Sequence, residues 1–196
     1  MANRNAGNGF GLIPTGTLGS TPATGGQGKY YIDAGATVDL FQGSAVKSSA
    51  GYIVTAQAAI TNTCIGVFNG IFYNAATTLK PTWANWYNQP ITPANSEDVT
   101  CFVIDNPTQL FVVSLDTAAA QAIYGMTMGL TVTAAGSETS GQSSSTLTYA
   151  TRHVTNNQWR LVRTAEDPEN NQNATFRSVV VAHNLNQYFT GAVTWA

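Results

Sequence analysis

The chain has 196 residues, eight of them basic and ten acidic, for a formal net charge of −2 at neutral pH. Charged residues make up only 9%, against roughly 25% in ordinary globular domains, and no basic run exists that would neutralise several phosphates, which excludes nucleic acid as an expected partner. A hydrophobic content of 43% excludes a disordered chain, so the expectation is one folded domain with a mostly neutral polar surface, of the kind that packs permanently against neighbours.

Residues 1–28 form a separate zone rich in Gly, Thr, Asn and Pro, with Arg4 its only charge before Lys29 and Phe10, Leu12 and Ile13 its large apolar cluster. Such a stretch cannot build a core, and the sequence predicts an extended amino-terminal arm. Its first residues contain no apolar run of signal-peptide length, and no stretch of the chain approaches the ~18 apolar residues of a membrane span. A soluble protein made in the cytosol is therefore expected.

The body, residues 29–196, is predicted as a single β domain of short strands punctuated by Gly, Asn, Pro and Ser. KYYID at Lys29, VDLFQGSAVK at Val38, GYIVTAQ at Gly51 and TCIGVFNGIFY at Thr63 open the series. Gly43 permits a bend, and Gly66 and Gly70 predict bulges or close backbone approach, as in a sheet that curls. From Asn74 to Pro93 several prolines limit regular structure, while Trp83, Trp86 and Tyr87 supply aromatic surface that either packs back over an open end of the fold or forms an exposed contact patch. Two apolar runs, Val99 to Ile104 and Leu110 to Leu115, flank a Pro-containing turn and predict a hairpin lying between two layers. A short helix is expected over residues 117–124, stopped by Gly125. Strands resume at Thr127, Thr146, Trp159 and Phe176, with GAVTWA a closing strand. Many strands, one helix and no βαβ alternation give a mainly β fold: a rolled β-sandwich or barrel, jelly-roll or β-tulip-like.

Chemistry is sparse. His153 and His183 lie near strand ends without a second ligand at metal spacing, and no nucleophile elbow, phosphate loop or metalloprotease helix appears. No catalytic residue, cofactor or metal site is assigned. The turn at Glu166 to Asn171 gathers three carboxylates but lacks the alternating ligands of a calcium loop; Arg160 and Arg163 lie upstream and are expected to pair with it. Cys64 and Cys101 occupy strand-like apolar runs, where buried free thiols or a bridge would both fit.

The neutral Gly-rich arm, the Phe41-Gln42-Gly43-Ser44-Ala45-Val46 step, the GVFNG run at Gly66 to Gly70, the Trp/Pro loop, the FVIDNPTQLFVV segment and the DPENN turn before the final VVVAHN strand together resemble tailed-bacteriophage capsid decoration, or cement, proteins. The resemblance implies a β protein, often a homotrimer, on the outer surface of an icosahedral head, where it staples neighbouring capsomers of the major capsid protein. It would be synthesised in the host cytoplasm and would need neither membrane nor cofactor. On this view Arg4, Phe10, Leu12 and Ile13 form the capsid-contact arm. The competing expectation is a carbohydrate-binding or host-adhesion β module on the virion that uses Trp83, Trp86 and Tyr87 as a stacking patch. A small coat protein would bring a basic arm, and an enzyme finds no supporting motif.

Overall fold

The structure, a computed structural model, describes residues 9–19, 26–56, 63–89, 91–118, 120–131, 136–171 and 173–189. Among these residues, twelve strands lie in two antiparallel six-stranded sheets. The first contains β1 (Ile13–Thr17), β8 (Gln109–Ser114), β12 (Ser178–His183), β11 (Trp159–Thr164), β9 (Thr127–Leu130) and β10 (Leu147–His153), in that order. The second orders β2 (Gly28–Ile32), β7 (Val99–Ile104), β5 (Gly66–Asn74), β3 (Ala45–Ser49) and β4 (Tyr52–Thr55), with β6 (Pro81–Ala84) also paired to β5.

The mainly β, sandwich-like architecture is as the sequence predicts, but neither sheet closes into a barrel. In the second sheet the outer strands β2 and β4 approach each other without a hydrogen-bonded ladder between them. Asp98 ties this near-closure, accepting hydrogen bonds from Ala34 N–H at 3.2 Å and from the Tyr52 hydroxyl at 3.1 Å. The rolled sheet wraps one core around Phe68, Ile71, Val99, Cys101, Val103 and the buried Tyr87. A second core, around Phe111, Leu115, Trp159, Leu161 and Val181, fills the space between the sheets, where Val67 and Ile104 reach it from the other side.

Four expectations change. The segments either side of Pro107 do form a turn, with Asn106 Oδ1 accepting from the N–H of Thr108 at 3.0 Å and its hydroxyl at 2.9 Å. They do not form a hairpin, because β7 pairs with β2 and β5 whereas β8 pairs with β1 and β12 in the other sheet. Apolar side chains on both faces suit two interior strands of different sheets as well as two strands of one. The Trp/Pro connection contains β6, which starts at Pro81, a position where the missing N–H is tolerated at a sheet edge. In place of an α-helix near residue 120 there is one 3-10 turn, Gln121–Ile123, after which Gly125 takes the left-handed conformation at φ 85°; a second such turn spans Ala94–Ser96. GAVTWA and Arg4 lie outside the described residues.

The fourth change concerns the arm. Residues 9–17 pack onto the body: Gly11 N–H donates to Ser145 O at 3.2 Å and Leu12 N–H to Gly43 O at 2.9 Å. Gly9 permits this approach, since a Cβ there would stand 2.2 Å from Ser144 O. Leu12 is buried in the inter-sheet core, and β1 becomes the outermost strand beside β8.

Candidate functional site

Of the three rings expected either to pack back over the fold or to form an exposed patch, only Trp83 is exposed. Tyr87 is fully buried, its hydroxyl donating to Ala36 O at 3.2 Å and its backbone pairing with Leu40. Trp86 lies half-buried and stacked on Phe41, with ring centroids 5.3 Å apart and planes at 7°. These two rings therefore stabilise the loop and offer no shared surface with Trp83.

Trp83 instead belongs to a row that crosses four strands. Cross-strand partners point to the same face of a sheet, and the register sets Tyr31 opposite Thr100, Thr100 opposite Phe72, and Phe72 opposite Trp83. One step along, Lys29 faces Phe102 and Phe102 faces Gly70. The irregularity between Phe68 and Gly70 makes this possible. An extra residue in β5 reverses the alternation, so Phe68 and Ile71 both enter the rolled core while Gly70 and Phe72 both turn outward.

Gly70 shapes the row. A Cβ at this position would lie 2.7 Å from Cζ2 of Trp83 and 3.3 Å from its Cε2, so the indole occupies the space above the glycine. It reaches across β5 to Phe102, whose ring centroid is 5.2 Å away. Trp83 keeps 53% of its surface exposed, Tyr31 45% and Phe72 42%. The ammonium of Lys29 stands 5.4 Å from the Tyr31 ring centre, a cation–π contact at one end of the row. Sequence reasoning missed Phe102 because it placed both faces of β7 inside, and it assigned no outward face to β2 or β5, which carry Tyr31 and Phe72. The alternation of Tyr31, Phe72 and Phe102 with core residues was the available signal.

The arm residues divide. Phe10 and Ile13 line a groove of about 630 Å³ together with Val112, Arg163, Glu166 and Asp167 on the outer side of the first sheet. Leu12 is withdrawn from any contact with a partner by its place in the core. The carboxylate turn is braced from within: the Asn170 amide donates to Ala165 O at 3.0 Å and Ser178 O at 2.8 Å and accepts from Ser178 N–H at 2.9 Å. Arg160 bonds Gly125 O and the Asn184 side chain, away from that turn. No group of three or more metal-ligating side chains assembles among the described residues.

The remaining polar contact of chemical interest is interior. Cys64 Sγ lies 3.5 Å from Nδ1 of His183, but burial pushes the thiol up to about 12 and holds the imidazole down at about 4. A thiol of that kind is a poor nucleophile at neutral pH. The outer row gathers exposed aromatic surface across four strands. The chain matches no protein-family model, no curated protein and no solved structure.

Proposed function

We propose that this is a structural virion protein: a capsid decoration protein that binds the outer surface of an icosahedral phage head as a homotrimer and stabilises contacts between capsomers. The observation that carries the reading is the position of β1. It is the outermost strand of its sheet, Ile13, Pro14 and Thr15 are exposed, and eight further residues precede Gly9. An open strand edge is suited to adding a strand from a neighbouring chain. The groove beside it gives Phe10 and Ile13 apolar surface to share with such a strand. Low charge over both sheets fits a permanent contact, and three linked copies raise avidity far above that of one.

The test is co-sedimentation with heads that lack the protein, comparing the full chain with one beginning at Gly9 and with a Phe10→Ala, Ile13→Ala double variant. Saturable pelleting of the full chain at a lattice stoichiometry, reduced in both variants, supports the reading. Absence of pelleting by the full chain removes it. Truncation at Lys29 is unsuitable, because it deletes Leu12 and β1 from the fold.

A further inference from the structure

The outer face of the second sheet has features that capsid binding through β1 does not use. We propose that this face is a carbohydrate-binding site for a neutral hexopyranose chain, with Trp83 as the stacking platform and Phe72 and Tyr31 extending it. Three half-exposed rings of about 200 Å² each present on the order of 300 Å². That is well below the ~800 Å² per partner that a standard protein interface buries. It is enough for a few sugar rings, whose C–H faces pack on aromatic planes.

Orientation favours the same ligand. Side chains usually stand away from a sheet, which would present an indole edge-on. Here the missing Cβ of Gly70 lets the indole of Trp83 lie across β5, one side toward the sheet and about half of its surface open to solvent. The four-strand span from Tyr31 to Trp83 covers about 14 Å at the usual strand spacing of ~4.8 Å, the length of a short oligosaccharide. Tyr31, Thr100, Phe72 and Trp83 along the row carry no formal charge, and Lys29 lies at its end. An uncharged ligand fits such a surface better than an acidic one. The hydroxyls of Tyr31 and Thr100 share the face with the rings and can orient sugar hydroxyls. Ladders on β7 and β5 hold the row rigid, so little ordering is lost on binding.

The test uses the full chain and a fixed panel of neutral polymers: amylose, dextran, laminarin, cellohexaose and mannan. Binding is read from tryptophan emission and from retardation in polysaccharide-containing native gels. The expected result is saturable binding to at least one polymer, weakened roughly tenfold by Trp83→Ala or by Phe72→Ala. Trp83→Phe should retain part of the affinity, and Trp86→Phe should leave it unchanged. Failure of every polymer to bind overturns the proposal, as does binding that survives Trp83→Ala. A Trp83→Ala variant that loses head binding or self-association while polysaccharide binding persists overturns it in favour of a protein contact. Head binding by the Phe10 and Ile13 variants is a separate readout, so the two proposals fail independently.

Discussion

Cys64 and His183 meet 3.5 Å apart at the boundary of the inter-sheet core, joined by the parallel bridge between Cys64 and Asn186. The imidazole packs on Trp159 with ring centroids 4.5 Å apart and meets the edge of Phe111 at 5.6 Å. His183 keeps some exposed surface as a residue, yet its Nε2 is enclosed and has no hydrogen-bond partner among the described residues. Protonation would put a charge where nothing receives it.

Desolvation lowers the His183 pKa from 6.5 to about 4. Between those values the unfolded chain binds more protons than the folded one, so stability falls as pH drops from about 6.5 to about 4 and levels below. The full span is worth roughly 3 kcal/mol. Urea midpoints measured across this window should show that loss in the native protein. A His183→Phe variant, which fills a similar volume without a titrating group, should show a flatter profile; parallel profiles would dismiss the assignment.

Two buried thiols predict the alkaline limb. Burial raises Cys64 and Cys101 from 9.0 to about 12, so their neutral forms stabilise the fold below pH 9 and that contribution is lost as pH rises toward 12. They lie in different cores, unbridged. Iodoacetamide at pH 8 should therefore label neither quickly in the native protein and both at once in urea. Rapid labelling of one thiol in the native state would contradict its burial.

Leu12 and Ile13 are adjacent but should respond differently. Leu12 is 1% exposed and Ile13 is 41% exposed. Leu12→Ala should cost about 2–5 kcal/mol by leaving a cavity between the sheets, whereas Ile13→Ala should stay within about 1 kcal/mol. Equilibrium unfolding of the two variants decides. Equal small losses would mean that residues 9–12 do not belong to the core.

Much of this architecture was readable from strand-length apolar runs and their turns, including the bulge near Gly70 and the left-handed Gly125. Pairing partners were not. The 105–108 segment has the chemistry of a tight turn, but turn chemistry is local, whereas the choice between pairing β7 with β8 and sending them to separate sheets depends on β2, β5, β1 and β12. Leu12 was misread for a related reason. Gly9 and Gly11 on either side of Phe10 permit close backbone approach, but what they approach, Gly43 and Ser144–Ser145, is distant in sequence. The aromatic row was hidden because strand alternation gives two faces without saying which is covered. Only the register that brings β6 beside β5 shows that Trp83 covers Gly70 and Phe102 while Phe72 stays open.

Asn170 tests whether the acidic turn is a structural element. Its amide bridges Ala165 and Ser178 through three hydrogen bonds of 2.8–3.0 Å, closing the loop between β11 and β12, while Asp167 Oδ1 accepts from Glu169 N–H at 3.0 Å. Asn170→Ala removes the bridge and strands partly buried backbone groups, so a loss of about 1–3 kcal/mol is expected. Asn170→Asp keeps the acceptor for Ser178 N–H but replaces both donors with oxygen facing two carbonyls. It should be no better than alanine. Calcium would reverse that order: if the turn were a cation site, the added carboxylate would strengthen it and calcium would raise the unfolding midpoint of Asn170→Asp above that of Asn170→Ala. The hydrogen-bond pattern predicts that calcium shifts neither midpoint, and a calcium-dependent rise in the aspartate variant would reassign the turn.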